Sequence, residues 1–291
     1  MLNADRVYML AADHRWQWEE WCDARAIPRA RIAEVKRLAF DAFMRARERS
    51  RDVRDFGALL LDAQYASAII AEGLAGGADV GAPAEKAGAV PLAWATDPFS
   101  QALVGSFVKV LVRYRPDDYP VERAEQWRKL ETLQTWCRTA GKPLVVEVLV
   151  ARRGEDADEF ERSGRPAIIA DFIRDAYRRR LLPAFWKIEG TLAPDGARVI
   201  DAAVAGQPSG RQILLGKAAD LTTIDRWFAA AASSSTASGF AIGRSVFWEP
   251  SASYLGGATS AADAAEAICA NYLGLVDAWN RCRATVTRSG A

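Results

Sequence analysis

The amino-acid sequence predicts an α/β fold, a (β/α)8 TIM barrel that takes residues 1–291 as a single domain. Three observations lead there. Short β-rich runs alternate with amphipathic helix patterns throughout the 291 residues. Eight strand–helix units fit this length at a spacing of roughly 30 to 40 residues, the count of a closed barrel. The first apolar run leads into Asp13-His14-Arg15, where an open doubly wound sheet would carry a glycine-rich phosphate turn.

Taken in order, residues 6–11 form the first strand, and the aromatic segment 16–21 follows, expected to cover part of the barrel mouth. Residues 32–49 place apolar side chains at helical spacing. The second strand is 57–62, residues 73–81 are a connector, and 90–93 are the third strand. Residues 108–113 are the fourth strand and 121–140 the helix behind it. The fifth strand, 143–149, precedes a helix over 166–179 whose Pro166 suits a first turn. Strands at 185–188, 212–215 and 239–242 complete the set. Residues 222–232 and 260–280 are helices, the latter announced by Ser260 before Ala261-Ala262-Asp263; residues 233–238 are a connector.

Thirty-eight basic residues against 37 acidic leave a formal charge of +1. That balance argues against nucleic acid, or a membrane surface, as an electrostatically recruited partner. Cys22, Cys137, Cys269 and Cys282 are far apart and read as reduced thiols, not as a disulfide frame or a zinc site. Residues 1–6 lack an apolar signal core and no run approaches a membrane span, so a soluble cytoplasmic protein is expected. His14 is the only histidine, which excludes a two-histidine metal site. No nucleophile elbow, P-loop or dinucleotide fingerprint occurs. Neither metal nor cofactor is expected, and assembly into a homo-oligomer stays open.

The chemistry is written in the strands. Along Ala184-Phe185-Trp186-Lys187-Ile188-Glu189-Gly190, alternation puts Lys187 and Glu189 on one face and Trp186 and Ile188 on the other. A desolvated lysine shifts toward its neutral form and becomes a nucleophile able to form a Schiff base; the bland alternative is a buried structural ion pair. Lys109 and Arg113 share a face of the fourth strand, and Glu147 lies on the fifth. Interiors of barrels hold branched apolar side chains, so charges on three successive strands are not a packing pattern. Asp13 and Arg15 follow the first strand. Gly243-Arg244 after the last strand, with Gly216-Lys217 after the seventh, fit a phosphate grip of backbone N–H groups and cations.

The runs Asp13-His14-Arg15, Glu85-Lys86-Ala87-Gly88, Lys109-Val110-Leu111-Val112-Arg113-Tyr114, Glu147-Val148-Leu149-Val150, Trp186-Lys187-Ile188-Glu189-Gly190 and Gly239-Phe240-Ala241-Ile242-Gly243-Arg244-Ser245-Val246-Phe247-Trp248 resemble the DUF2090 family. That is the aldolase-like domain of bacterial 5-dehydro-2-deoxygluconokinase fusions, similar in turn to class I tagatose-bisphosphate and sulfofructose-phosphate aldolases. The resemblance covers residues 7 to about 279 and includes no kinase half. It implies a class I aldolase barrel with Lys187 as the Schiff-base lysine and Glu147 as the strand-five acid/base. It further implies Asp13 and Lys109 beside the reacting carbons, and Gly243 and Arg244 on the phosphate. Arg15, Lys86, Arg113, Glu189, Gly216 and Lys217 complete the expected substrate and phosphate contacts. Ala12, Ala87 and the pair Lys217-Ala218 depart from the family pattern, which has an aromatic, a serine and Arg-Gly there.

What the resemblance implies is a carbon–carbon lyase of inositol catabolism that cleaves 2-deoxy-5-keto-gluconate 6-phosphate to dihydroxyacetone phosphate and malonic semialdehyde. A ketose bisphosphate or sulfofructose phosphate is the nearest alternative substrate, and a non-catalytic sugar-phosphate-binding barrel the alternative of another class. On this reading Lys109 activates Lys187 by like-charge repulsion, and either Asp13 or Glu147 is the base for bond cleavage.

Overall fold

The computed structural model describes residues 2–289; positions 1, 290 and 291 of the expected domain lie outside them. Eight parallel strands close into a barrel in sequence order. They are β1 (Val7–Ala11), β2 (Gly57–Leu60), β3 (Asp79–Pro83), β4 (Phe107–Arg113), β5 (Leu144–Leu149), β6 (Phe185–Glu189), β7 (Gln212–Leu215) and β8 (Ala237–Ile242). The helices are α1 (Trp16–Asp23), α2 (Ile32–Arg49), α3 (Arg51–Phe56), α4 (Ala63–Ala75), α5 (Pro120–Thr139), α6 (Ala157–Glu159), α7 (Arg165–Arg178), α8 (Pro194–Val204), α9 (Leu221–Ala231), α10 (Arg244–Leu255) and α11 (Ala261–Ser289). Among the described residues no helix is long and apolar enough to cross a membrane.

Alternation along the strands separates two cores. Val7, Met9, Ala58, Leu60, Phe107, Val145, Phe185 and Ile213 fill the barrel interior. Val146, Val148, Trp186 and Ile188 point outward and pack under Trp127, Ile169, Phe172 and Ile173 of the surrounding helices. Each buried apolar side chain of this kind is worth about 1.5–3 kcal/mol in area removed from water.

The third strand is not where the sequence pattern put it. Residues 90–93 form a loop, because Pro91 has no N–H to give a ladder, and the segment instead doubles back through an isolated antiparallel bridge between Glu85 and Trp94. The strand begins inside the expected connector 73–81 and runs past its end, at Asp79–Pro83. Its Gly81 is required by the neighbour: a Cβ there would meet the Phe107 ring at 2.2 Å. A glycine that reads as a turn signal is here the space into which an interior aromatic packs. The expected connector 233–238 likewise gives its last two residues to β8.

Candidate active site

Register builds the site. Leu111 of β4, Glu147 of β5, Lys187 of β6 and Ile213 of β7 lie side by side across the barrel. Glu147 and Lys187 are therefore direct neighbours on the inner face, above the apolar layer and at the C-terminal end where barrel loops converge. Lys109 sits two residues before Leu111, and its long stem carries the ammonium upward into the same layer.

The charges interlock at short range. Lys187 Nζ donates to Glu147 Oε2 at 3.0 Å. Lys109 Nζ lies 2.8 Å from the same oxygen, 3.0 Å from Asp13 Oδ2 and 2.9 Å from Glu85 Oε1. All five residues are at most 7 % exposed. Burial opposes the Lys109 charge, but Asp13, Glu147 and Glu85 outweigh it and hold the ammonium well above the usual lysine range. Burial likewise opposes ionisation of Asp13 and Glu147, and Lys109 with Lys187 overturns it, so both carboxyls are held below their ordinary values. The expected bare repulsion between the two lysines is thus modified, because Glu147 stands between them as a shared acceptor.

Glu85 is the residue sequence reasoning did not select. It follows β3 by two residues, accepts from Leu111 N at 3.1 Å, and lies 3.7 Å from the Arg15 guanidinium. Arg15 also donates to the Glu85 carbonyl at 3.0 Å, which ties the loop after β1 to the loop after β3.

Asp13 is aimed by a second buried pair. Lys36, from the apolar stripe of α2, is fully buried and donates to the Ala12 carbonyl at 2.7 Å and the His14 carbonyl at 2.6 Å. Its ammonium pairs with Asp62 at 2.8 Å, also fully buried. The two carbonyls flanking Asp13 are therefore clamped. Asp62 is spent on this clamp and on capping α4, where it accepts from Tyr65 N, and not on the mouth.

These groups line a cavity of about 270 Å³ together with His14, Arg15, Trp16, Lys86, Arg113, Gly216, Lys217, Gly243 and Arg244. Trp16, at the start of α1, borders it, while Trp18 stacks on Trp248 with ring centroids 4.0 Å apart and so anchors α1 to α10. Burial pushes the His14 imidazole down to about 3, with Asp13 opposing the shift, so it is neutral at physiological pH. Its Nδ1 is buried without a hydrogen-bond partner among the described residues. Gly243 caps α10; a Cβ there would strike the Ala11 carbonyl at 2.0 Å and His14 Cε1 at 3.0 Å. The backbone can therefore come this close only as glycine, which brings the first-turn N–H groups of α10 and the Arg244 guanidinium to the cavity. Arg244 Nε is likewise buried without a partner among the described residues. An N-terminal helix turn beside an unengaged guanidinium suits an anion.

Glu189 does not join this cavity. It keeps the parity of Lys187 but lies one layer higher, beside Leu215. Its Oε1 takes the Lys217 ammonium at 2.7 Å, with Arg165 of α7 at 3.7 Å. Lys217 is thereby engaged by a carboxylate, and Arg113 and Lys86 stand exposed at the rim. Lys217 and Ala218 adopt left-handed backbone, φ 45° and 61°. Among the described residues no group of three or more His, Cys, Asp or Glu side chains is arranged to hold a metal ion.

The model of the family DUF2090, described as an uncharacterized protein conserved in bacteria, matches residues 2–283. No curated protein matches the chain. Among solved structures, the fold is similar to fructose-bisphosphate aldolase from Plasmodium falciparum, crystallised with TRAP and a small-molecule inhibitor. The TM-score is 0.69 at 12 % identity, covering 95 % of this chain and 91 % of that one. It is also similar to Cgl0159 from Corynebacterium glutamicum, with a TM-score of 0.59 at 16 % identity, covering 93 % and 87 %.

Proposed function

The chain belongs to the DUF2090 family, and from that premise and the site geometry we propose that it is a class I aldolase working through a Schiff base on Lys187. The observation that carries the reading is the contact between the Lys187 amine, 4 % exposed in the cavity wall, and Glu147 Oε2 at 3.0 Å. A nucleophile with an acid/base group in hydrogen-bond reach is the minimum a Schiff-base mechanism needs.

In this mechanism Glu147 takes a proton from Lys187, and the free amine attacks the substrate ketone. Glu147 returns the proton to the carbinolamine hydroxyl, water leaves, and an iminium remains. Asp13 or Glu147 then removes the proton of the β-hydroxyl; the bond between the α and β carbons breaks, its electrons flow to the iminium nitrogen, and an aldehyde departs. The enamine regains a proton at the α carbon, and water hydrolyses the resulting iminium to restore Lys187. Lys109, held cationic, keeps Glu147 and Asp13 ionised between steps. Arg244 and the first turn of α10 bind the phosphate, so binding energy remote from the reacting carbons fixes the ketone against Lys187.

The substrate we propose, on the family resemblance, is 2-deoxy-5-keto-gluconate 6-phosphate, giving dihydroxyacetone phosphate and malonic semialdehyde. The test is borohydride reduction in the presence of dihydroxyacetone phosphate, followed by intact mass and peptide mapping. One adduct on Lys187 is expected. An adduct on Lys109, Lys86 or Lys217, or none, overturns the proposal.

A further inference from the structure

A second cavity, of about 670 Å³, opens beside the first and shares Arg113, Leu149 and Lys217 with it. It is walled by the loop after β4, the loop after β5 and the first turns of α5, and the reaction proposed above uses none of its interior. Its size falls within the range of small-molecule sites, roughly 300–1,000 Å³.

We propose that this cavity is a binding site for an amphipathic anion that also carries a hydrogen-bond donor. Three features of the wall define that ligand. The first is a pair of guanidinium groups without a carboxylate partner. They lie in a wall where Arg113, Arg115, Arg123, Arg153 and Lys217 face Asp117, Asp118, Glu122 and Glu189, Glu122 being the one carboxylate of these with no ion-pair partner among the described residues. Arg115 pairs with Asp117 and Glu155, Arg153 with Asp117 and Asp118, and Lys217 with Glu189. Neither Arg113 nor Arg123 has an ion-pair partner among the described residues, and Arg123 Nε is buried without an acceptor. Both line this cavity, and Gln126 of α5 donates to the Arg113 carbonyl at 3.4 Å, which ties the end of β4 to the helix turn that carries Arg123.

The second feature is an orphaned acceptor. Glu189 is 3 % exposed and lines the cavity, yet its Oε2 has no hydrogen-bond partner among the described residues. A buried carboxylate oxygen left unpaired is costly, and a hydroxyl or N–H of a ligand satisfies it. The third is apolar surface from Tyr114, Leu149, Val150 and Pro91, against which a ring or short aliphatic body packs. An anion alone would leave this surface and the Glu189 oxygen unmatched. An uncharged apolar molecule would leave the two guanidinium groups unmatched.

The Lys217–Glu189 ion pair lies on the boundary, with Lys217 lining both cavities and Glu189 only the second. The ligand is therefore held apart from Lys187, and the inference stands or falls independently of the Schiff-base reading.

The probe is 8-anilino-1-naphthalenesulfonate, which combines a sulfonate, two apolar ring systems and an N–H. Fluorescence titration of the full, folded chain is expected to show one saturable site. Arg123→Met should weaken it at least tenfold and Arg123→Lys should restore part of the loss, with thermal melts verifying that each variant is folded. Saturating dihydroxyacetone phosphate should leave the stoichiometry unchanged. Absence of saturable binding, equal affinity in Arg123→Met and the parent protein, or complete displacement by dihydroxyacetone phosphate each overturns the proposal.

Discussion

Lys109 and Lys187 hold the same oxygen atom: Glu147 Oε2 lies 2.8 Å from the first ammonium and 3.0 Å from the second. Lys109 spreads its charge over three carboxylates, whereas Lys187 touches Glu147 alone among side-chain carboxylates. The two lysines are chemically alike and placed unequally. One is a cation shared among three carboxylates, and the other has a single carboxylate partner among the described residues.

Lys109→Met removes the shared cation. Asp13 and Glu147 lose the charge that holds their carboxyls down, so both become easier to protonate. The acid limb of the pH–kcat profile should move to higher pH, and kcat should fall by roughly 10²–10³. An acid limb that stays in place in steady-state assays would show that neither carboxylate carries the proton.

Arg244→Ala should raise KM for a phosphorylated substrate. Loss of a charge-assisted contact is worth about 1.5–3 kcal/mol, or roughly ten- to a hundredfold in kcat/KM. The circular dichroism spectrum should be unchanged, since Arg244 is only half-buried and its Nε bonds nothing in the fold. Unaltered kinetics would put the phosphate elsewhere.

His14 makes stability depend on pH in a window of its own. Its folded pKa, about 3, lies below the ordinary 6.5. The unfolded chain therefore binds the proton first, and stability is complete above pH 6.5 and lost as pH falls toward 3. Asp13 and Glu147 are also depressed, but from ordinary values of 3.8 and 4.5, so their contribution is lost only below that. Between pH 6.5 and 4.5 the loss should approach about 1.4 kcal/mol per pH unit. In His14→Gln, urea midpoints over that interval should be flat; an unchanged slope would assign it to other groups.

Ala218→Gly tests the loop after β7. A left-handed conformation costs a non-glycine residue about 1 kcal/mol, and Ala218 adopts it with φ 61°. After the extra freedom glycine gains on unfolding, a net stabilisation of roughly 0.5 kcal/mol is expected, visible as a Tm about 1–2 °C higher. A lower Tm would mean that the alanine methyl makes contacts outweighing the strain.

Lys36→Met should cost about 3–5 kcal/mol, because Asp62 is left charged and fully buried. Lys36→Met combined with Asp62→Leu should cost less than the two single changes added together. Chemical denaturation of the four proteins in the double-mutant cycle measures the coupling; additive effects would deny it.

The barrel was legible because its inner and outer faces differ in kind. Trp186 and Ile188 need an apolar layer, so the side of β6 that carries Lys187 follows from alternation alone. Glu85 was not legible for a reason that traces to one strand. With residues 90–93 taken as the third strand, Glu85 falls in the loop before it; with Asp79–Pro83 as β3, the same residue stands at the mouth. Pattern could not separate these, since Gly81 and Pro83 look like turn residues and Gly81 is explained only by Phe107, 26 positions away. Lys36 had a signal, a charge within the apolar stripe of α2, but besides Asp62 its partners are the backbone carbonyls of Ala12 and His14, which no side-chain pattern records. The turning of Glu189 toward Lys217 and Arg165 depends on a helix partner and lies beyond strand parity.

The two buried charge systems differ in how much chain each needs. Lys36, Asp62 and the carbonyls of Ala12 and His14 all lie within the first 62 residues, so the clamp on Asp13 becomes available once two strands and the intervening helices have left the ribosome. Asp13, Glu85, Lys109, Glu147 and Lys187 span residues 13 to 187, and their set of contacts is complete only when β1 through β6 are joined. A nascent or truncated chain ending before β6 would present Glu147 and Lys109 without Lys187, on an open sheet exposed to water.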